Sequence, residues 1–425
     1  MSLLIFFVLP VTLLVLGMPV YIVLLIATIG GILYLDLGSL LVIHTNVFGS
    51  LDSFPLLAIP LFIFAGDVMA RGGIALRLIE LIMSMIGGIR GSLPVATVAS
   101  AAAFGAMSGS SVACVAAIGK LTLPSLEKAG YGRNFSVSLI TATGVIDVII
   151  PPSIPMIIYG IAAQQSITQL FMAGIVPGLI IAAFLSAYVM VRAKTLGIPA
   201  GGRPQLSVVL PALRRSTWAL FAPILVLGGI YGGVFTPTEA AGIACVYAIF
   251  ISVVVYRELT IADVWRIAID SSVLIGQIMI LVAAAGAYSW LVATSGVPLQ
   301  LTNFISSLEL QPWLLLLVIN VLLLLVGSVL EPPAAILILT PLLTPMIMKA
   351  GIDPLHFGLV VTINLAIGMF LPPFGLNLFA SHAIFRTPLP VLYRGVVPFL
   401  FLYLAVLMLV TYVPAITLAP VRFLQ

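Results

Sequence analysis

Long apolar runs alternate with short polar connections along almost the whole chain. Most runs have the length of a helix that crosses a membrane, about 20 residues, and lack the short alternating pattern of strands in a membrane β-barrel. A further apolar stretch at 73–89 is interpreted as a tilted arm. The pattern predicts an all-α polytopic membrane protein with spanning segments at 2–16, 18–36, 54–70, 134–163, 167–191, 217–235, 239–256, 271–293, 355–383 and 396–415.

Composition supports this interpretation. Of 425 residues, 62% are hydrophobic and 7% are charged, whereas soluble domains carry about 25% charged residues. Most of the chain must therefore face the lipid bilayer or other helices. Cys114 and Cys245 lie inside apolar runs and the three histidines are scattered, so no metal-ligand spacing is present. Because no phosphate-binding loop and no paired nucleophile and base are found, we expect no enzymatic activity, no cofactor and no nucleic-acid partner.

Basic residues predict the orientation, because short cytoplasmic loops carry an excess of Lys and Arg. The longest polar connection, from Arg192 to Arg215, is assigned to the cytoplasm. Counting crossings places further basic residues on the same side: Arg71, Arg77, Arg90, Lys120, Lys128, Arg133, Arg257, Arg266, Arg386 and Arg394. The opposite side holds Asp36, His44, Asp52, Gln164, Gln165, Glu309 and Asp353. This topology puts both termini in the periplasm and the chain in a bacterial inner membrane.

Two other apolar blocks, at 92–127 and 313–349, are interrupted near the middle. The first is interrupted by SGSS at Ser108–Ser111, and the second by GSVLEPP at Gly327–Pro333. Each block predicts a re-entrant hairpin, in which two half-crossings meet at a tip inside the membrane. A predicted spanning helix follows each hairpin and contains a Pro-Pro pair, which breaks the helix because proline removes a backbone donor.

The hairpins belong to an internal repeat. Residues 121–130 (LTLPSLEKAG) match residues 342–351 (LLTPMIMKAG) at an offset of 221, and Pro151–Pro152 and Pro372–Pro373 keep that offset. An odd number of predicted crossings separates the hairpins, so the second copy is expected to be inverted. Inverted repeats with interrupted helices are typical of secondary transporters, whose binding sites lie near the midplane.

The predicted organisation follows from this repeat. We expect N-terminal scaffold helices at 1–72, a first repeat at 73–191 (hairpin 92–127, broken helix 134–163), a cytoplasmic loop with scaffold helices at 192–270, a second inverted repeat at 271–390 (hairpin 313–349, broken helix 355–383) and a C-terminal helix at 391–425. Residues 261–272 have amphipathic spacing that favours a separate helix on the cytoplasmic surface, and 300–310 favours another on the opposite side.

The breaks predict binding sites. A broken helix in lipid is costly unless its freed groups line a cavity or bind a ligand. Freed carbonyls suit a small cation, and freed amides at a half-helix N-terminus suit an anion. We therefore predict one sodium ion at each junction between a hairpin tip and a broken helix, with substrate between the tips. The expected sodium ligands are Ser108, Ser110, Ser111, Thr143, Gly144, Asp147, Gly327, Ser328, Thr362, Asn364 and Gly368. The expected substrate residues are Gly109, Ser110, Pro151, Pro152, Glu331, Pro332, Pro372 and Pro373.

Structural interpretations compete with these assignments. Ser and Gly clusters also allow close packing of membrane helices. Carboxylates inside spanning segments are usually functional, but Asp147 and Glu331 could instead cap helices or lie nearer the surface. Glu239 is interpreted as structural, because Thr236 or Thr238 can cap a helix that begins there.

Several specific motifs occur along the chain: LDSFPLLAIPLFIFAG (51–66), FGAMSGSSVA (104–113), VIIPPSIPMIIYG (148–160), GGVFTPTEAAG (232–242), and DPLHFG, INLAIG and LPPFGLNLF within 351–379. In this order and spacing they resemble the motifs of the large membrane subunit of tripartite ATP-independent periplasmic (TRAP) transporters. The resemblance implies an elevator-type fold and sodium-driven import of an organic acid, such as a C4-dicarboxylate or sialic acid. It also implies two partners, a periplasmic substrate-binding protein and a small four-helix membrane subunit. Leu371 departs from the Thr common before the second Pro-Pro, and Glu331 replaces a frequent Asp.

Two other kinds of transport protein fit parts of the pattern. A stand-alone sodium/anion symporter without a binding protein would need the same repeat, and only the family motifs argue against it. A channel would need a continuous polar pore, whereas the polar groups here cluster at two points.

Overall fold

The computed structural model describes residues 8–307 and 309–423, and every regular element in these ranges is helical. The helices are α1 (Leu9–Val15), α2 (Val20–Leu35), α3 (Leu41–Leu51), α4 (Ala58–Arg71), α5 (Ile74–Met85), α6 (Ser92–Ser108), α7 (Ser111–Lys128), α8 (Arg133–Thr143), α9 (Ile146–Ile149), α10 (Ile154–Ala162), α11 (Ile167–Thr195), α12 (Leu206–Tyr231), α13 (Pro237–Phe250), α14 (Ile261–Thr294), α15 (Val297–Ser307), α16 (Pro312–Val329), α17 (Pro332–Lys349), α18 (Pro354–Gly368), α19 (Leu376–Phe385), α20 (Leu389–Tyr412) and α21 (Ala415–Phe423). A 3-10 turn at Phe54–Leu57 precedes α4, and a π-helical turn at Ile251–Val255 extends α13.

Within the described ranges, eight helical segments are long and apolar enough to cross a membrane. They are α4 with its preceding turn, α11, α12, α13 with its π turn, α14, α16, α17 and α20. A further candidate span is the bent pair formed by α8–α9 and α10, whose axes differ by 41°. The all-α polytopic fold class is therefore confirmed.

Both predicted hairpins are present. The first pairs α6 with α7 and turns at Gly109–Ser110, and the second joins α16 to α17 at Leu330–Glu331. The broken helices follow, as α8–α10 and as α18–α19, and both Pro-Pro bonds, Pro151–Pro152 and Pro372–Pro373, are cis. Helices α7 and α17, and likewise α8 and α18, begin 221 residues apart, so the offset found in the sequence is also the offset of the helices.

The two repeats pack around each other as two-fold symmetry requires. Helix α7 of the first hairpin contacts α19 of the second broken helix, and α17 of the second hairpin contacts α10 of the first. The long helices after each break are also exchanged, because α20 packs on α8 and α11 packs on α18. Each hairpin therefore lies against the broken helix of both repeats.

The remaining helices form a second layer. Helices α2 and α3 pack along α14, α4 packs on α13, and α5 packs on α12. Polar contacts join one end of this layer: Arg71 pairs with Asp270 at 2.6 Å, and Arg77 pairs with Glu258 at 2.8 Å. Residues that the sequence assigned to one side of the membrane thus lie at one end of the molecule, although the side itself stays a prediction.

Several predicted boundaries are wrong. Residues 261–272 do not form a separate surface helix, because α14 continues from Ile261 to Thr294 without interruption. The polar connection ends at residue 205 rather than 215, because Arg214 and Arg215 lie on the exposed first part of α12. Helix α3 was not predicted. The predicted segment 2–16 contains α1, and its first six residues lie outside the described ranges.

Local chemistry explains where many helices begin. Proline occupies the first turn of α13, α16, α17 and α18, where its missing amide hydrogen is not needed. The side chain of Asp353 accepts hydrogen bonds from the amides of Leu355 (2.8 Å) and His356 (3.2 Å) and caps α18. Thr236 and Glu239 form a capping box at α13, which supports the structural interpretation of Glu239.

Candidate functional site

A cavity of about 440 Å³ lies where the two hairpin tips approach each other. Gly109, Ser110 and Ser111 of the first tip line it, opposite Glu331 and Pro332 of the second tip. Apolar residues form most of the remaining wall: Val112, Ala113, Ala116, Val148, Ile154, Pro155, Leu274, Ile278, Pro333, Met369 and Leu376. Both tips and both broken helices therefore contribute to one cavity.

The predicted substrate residues divide into two groups. Gly109, Ser110, Glu331 and Pro332 line the cavity, as the sequence indicated. The four break prolines are not among its lining residues. Pro151 and Pro152 are buried beneath it, Pro372 is partly buried and Pro373 is exposed.

Glu331 is the only charged residue among those that line the cavity. It precedes the first turn of α17, its side chain makes no capping hydrogen bond, and it is exposed. The sequence placed this carboxylate inside a spanning segment, but the structure leaves it facing the open cavity between the tips.

The first tip is a tight turn between two helices. Gly109 has φ +63°, and a Cβ at this position would lie 3.0 Å from the carbonyl oxygen of Pro152. Only glycine combines this backbone conformation with so close an approach. The hydroxyl of Ser108 accepts a hydrogen bond from the amide of Ser110 at 3.3 Å, which fixes the turn against the Pro-Pro break.

Asp147 lies on α9 directly behind this tip. Its side chain is fully buried, and neither carboxylate oxygen has a hydrogen-bond partner within the described residues. The backbone amide of Gly109 interacts with the carboxylate, and no described basic residue forms an ion pair with Asp147. A buried carboxylate without a partner is costly, so this position requires a cation or a proton.

Asn377 brings the second repeat to the first junction. Its amide nitrogen donates to the hydroxyl of Ser111 (2.5 Å) and to the carbonyl oxygen of Thr141 (3.4 Å). Both hydrogens of the amide are therefore used, while Oδ1 is buried and has no partner. Gly144 lies beside this contact, since a Cβ on it would be 3.4 Å from Asn377 Nδ2. The free oxygen is an acceptor of the kind that a hard cation prefers.

Other predicted ligands of the first junction satisfy their own backbone. Thr143 is buried, and its hydroxyl donates to the carbonyl oxygen of Ile140 at 3.1 Å. Thr141 and Ser381 share a hydrogen bond of 2.6 Å between the repeats. A hydroxyl that donates in this way retains lone pairs as an acceptor.

The second junction is packed more closely. Gly327 of α16 and Gly368 of α18 face each other, and a Cβ on Gly368 would lie 2.3 Å from the carbonyl carbon and oxygen of Gly327. Ser328 donates to the carbonyl oxygen of Leu325 (2.7 Å), and Thr362 donates to that of Gly358 (2.8 Å). The backbones of α16 and α18 thus come into direct contact at the position that is equivalent to the carboxylate of the first junction.

A chain of buried hydrogen bonds fixes Asn364 at the second junction. Its amide nitrogen donates to Asn320 Oδ1 (2.8 Å) and to the carbonyl oxygen of Val360 (2.7 Å). Asn320 in turn donates to the hydroxyl of Thr411 (3.1 Å), and His356 contacts the carbonyl oxygen of Thr411 (3.2 Å). Because both hydrogens of Asn364 are used, its Oδ1 is the atom left buried and free.

Sequence reasoning missed Asn377, Ser381 and Asn320. Each is a polar residue inside an apolar helix, and such side chains often hydrogen-bond to neighbouring helices. Asn377 even lies in the LPPFGLNLF motif noted in the sequence. What linked it to the first junction, 266 residues from Ser111, was the packing of α19 on α7.

A second, open groove of about 780 Å³ lies between α12 and α13. Its lining is apolar except for Glu239, whose carboxylate is already held by the amide of Thr236 at 2.8 Å. Among the described residues, no group of three or more His, Cys, Asp or Glu could hold a metal ion. Three of the buried side chains that have oxygens without partners, Asp147, Asn364 and Asn377, lie instead near the hairpin tips and breaks.

Comparison with known proteins agrees with this architecture. A family model described as the DctM component of tripartite ATP-independent periplasmic transporters matches residues 5–416. The chain is 38% identical to the C4-dicarboxylate TRAP transporter large permease protein DctM of Pseudomonas aeruginosa, over 88% of both chains. It is 38% identical to the ectoine/5-hydroxyectoine TRAP transporter large permease protein UehC of Ruegeria pomeroyi, over 96% of both.

Two further similarities concern a longer relative and a solved structure. The isethionate TRAP transporter permease protein DctMQ of Oleidesulfovibrio alaskensis is 41% identical over 95% of this chain, which spans 64% of that relative. The crystal structure of the YdaH transporter of Alcanivorax borkumensis has a similar fold, with a TM-score of 0.64 at 15% identity over 88% of this chain and 87% of that one. Matched along nearly its whole length, the chain belongs to the family of the DctM component of tripartite ATP-independent periplasmic transporters.

Proposed function

We propose that this chain is the permease subunit of a sodium-coupled transporter that imports an organic acid delivered by a periplasmic binding protein. The observation that carries the proposal is the meeting of two hairpin tips and two broken helices at one cavity, with unpartnered buried oxygens behind them. Such an arrangement gives a transporter a site that either hairpin can expose in turn.

Three buried side chains support sodium as the coupling ion. Asp147 and Asn377 offer free oxygens at the first junction, and Asn364 offers one at the second. The atoms without partners are all oxygens, and oxygen ligands suit a hard cation better than a soft metal. Nearby carbonyls and hydroxyls of the tips would complete the coordination, with one ion at each junction.

The first tip supports an acid as substrate. Helix α7 begins at Ser111 with its N-terminus towards the cavity, and free amides at a helix start favour a carboxylate. Glu331 faces the same cavity and would repel an anion unless a cation lay close by. Binding of substrate and of sodium should therefore depend on each other. C4-dicarboxylates are the substrates named for one relative, and sialic acid is a further candidate.

The two-layer packing supports an elevator mechanism. The two hairpins and the broken helices form the moving part. The scaffold is formed by α2–α4, α12 and α13, joined by α5 and α14, which the sequence had assigned to the repeats. Small residues lie at the contact, since a Cβ on Gly66 of α4 would come within 3.1 Å of Ser108 at the first tip. A small membrane subunit is the expected partner, because the family model describes one component of a tripartite transporter.

Uptake into proteoliposomes tests the proposal. The permease and its small subunit are reconstituted, and substrate-loaded binding protein is added outside, with an inward gradient of sodium or of choline. Uptake that needs both the sodium gradient and the binding protein is the expected result. Uptake without the binding protein would favour a stand-alone symporter, and uptake indifferent to sodium would overturn the coupling.

A further inference from the structure

The two junctions are equivalent in the repeat but differ at one position. Helices α8 and α18 begin at Arg133 and Pro354, 221 residues apart, and the same offset relates Asp147 to Gly368. A carboxylate in the first repeat is thus replaced by a hydrogen atom in the second.

Neighbouring glycines show that this difference is built into the packing. At the first junction, a Cβ on Gly105 would lie 2.8 Å from Asp147 Cα, so α6 leaves room for the aspartate only because residue 105 is glycine. At the second junction, Gly368 itself is the glycine, and Gly327 fills the space that a side chain would need. The second junction therefore has no room for a carboxylate.

The charges at the two junctions differ accordingly. The first junction holds a fully buried carboxylate with no partner among the described residues. The buried groups of the second are the amide of Asn364 and the hydroxyls of Thr362 and Ser328, which are neutral. The carboxylate of Glu331 at its tip is exposed, so solvent screens that charge. A cation transferred from water into a protein interior is retained when a buried charge of opposite sign compensates it, and is disfavoured when only neutral groups surround it.

Building on the proposed function, we propose that the first junction binds a sodium ion in the absence of substrate, whereas the second junction does not. Asp147 compensates the charge of the first ion. The second ion acquires its counter-charge from the carboxylate of the substrate when that carboxylate enters between the tips. Sodium therefore loads in a fixed order, and Asp147 is the residue that sets the order.

Equilibrium binding of radioactive sodium to the purified permease complex tests this order without any substrate. The expected result is one equivalent of sodium bound per permease at saturation. Asp147→Asn, which has nearly the same shape without the charge, should bind none. Asn364→Ala, at the second junction, should still bind one equivalent.

A matched control and a second readout keep the test decisive. Asp67→Asn changes another aspartate, whose carboxylate accepts a hydrogen bond from Ser271 at 2.6 Å and lies on α4, and it should bind sodium as the unaltered protein does. The sodium-minus-choline difference in the thermal unfolding midpoint should be present in the unaltered protein and absent in Asp147→Asn and Asp147→Gly. This difference can be compared even when a variant has lower overall stability.

Each other outcome overturns the inference. No substrate-free sodium binding would mean that Asp147 is neutralised by a proton, and two equivalents would mean that the second junction needs no substrate charge. Retention of sodium by Asp147→Asn would place the ion elsewhere. Failure of the proposed function would give a different result: uptake would be independent of sodium both in the unaltered protein and in the Asp147 variants.

Discussion

Asp147 and Gly368 occupy equivalent positions in two broken helices, yet their surroundings have diverged. The first junction encloses an unpaired carboxylate and receives Asn377 from the opposite repeat. At the second junction Gly368 packs directly against Gly327, and Asn364 donates a hydrogen bond to Asn320. The repeat preserves the backbone that creates a break, while the side chains determine the charge of each junction. Variants that remove these features test whether the two junctions differ in this way.

The largest effect is expected for Gly368→Ala. Its Cβ would lie 2.3 Å from backbone atoms of Gly327, which cannot rotate away. We expect a loss of at least about 3 kcal/mol in stability, because overpacking against backbone exceeds the usual cost of a crowded core. Thermal unfolding of the purified complex measures it. Gly242→Ala is the matched control, since no atom lies within 4 Å of its Cβ and alanine favours a helix.

The second largest effect is expected for Asp147→Asn, which should raise the sodium concentration that uptake requires. Removing one partner of a buried charge pair costs about 3–5 kcal/mol, so the sodium concentration for half-maximal uptake should rise about a hundredfold or more. In choline buffer the variant should unfold at the same or a higher temperature than the unaltered protein, because an unpaired buried charge has been removed. An unchanged sodium dependence would contradict a cation at Asp147.

Asn377→Leu should weaken the first junction without removing its charge. The change leaves the hydroxyl of Ser111 and the carbonyl of Thr141 without their donor, at a cost of about 1–3 kcal/mol in unfolding free energy. Chemical or thermal unfolding checks this value. The control is Asn303→Leu, an exposed asparagine whose contact with Lys349 is long at 3.4 Å, where a change below about 0.5 kcal/mol is expected.

Glu239→Ala should give the smallest effect and leave both junctions intact. It removes half of the capping box at α13, which is expected to lower stability by about 1 kcal/mol. Sodium dependence of uptake should not change, and Glu239→Gln should retain the stability because glutamine also completes a capping box. A shift in sodium dependence would show that Glu239 takes part in transport.

Sequence reasoning located the hairpins and breaks well because their signals are local. Proline pairs and small-residue clusters interrupt helices wherever the chain is apolar, and the offset of 221 residues made each copy support the other. Predicted helix boundaries were wrong where the continuity of a helix depends on packing against other helices. The amphipathic run 261–272 could begin a surface helix or extend a spanning one, and packing of α14 on α4 accompanies its continuous form.

The candidate site was only partly accessible from sequence. Asp147 and Asn364 were identified because polar residues in apolar helices are conspicuous. The break prolines were expected at the substrate but are absent from the cavity lining: Pro151 and Pro152 are buried, and Pro373 is exposed elsewhere. Glu331 was predicted to contact substrate, and it lines the open cavity between the tips, while the contact itself stays a prediction.

The sequence by itself determined the membrane class, the repeat, the hairpins and the positions of the breaks, because each depends on the order of apolar, small and proline residues along a short stretch. Only the tertiary structure decided which polar atoms stay without partners. The free oxygens of Asp147, Asn364 and Asn377 follow from contacts between helices far apart in the chain, which use some donors and leave others out of reach. Hydrogen bonding is short-ranged and directional, so it is settled by packing rather than by residue type.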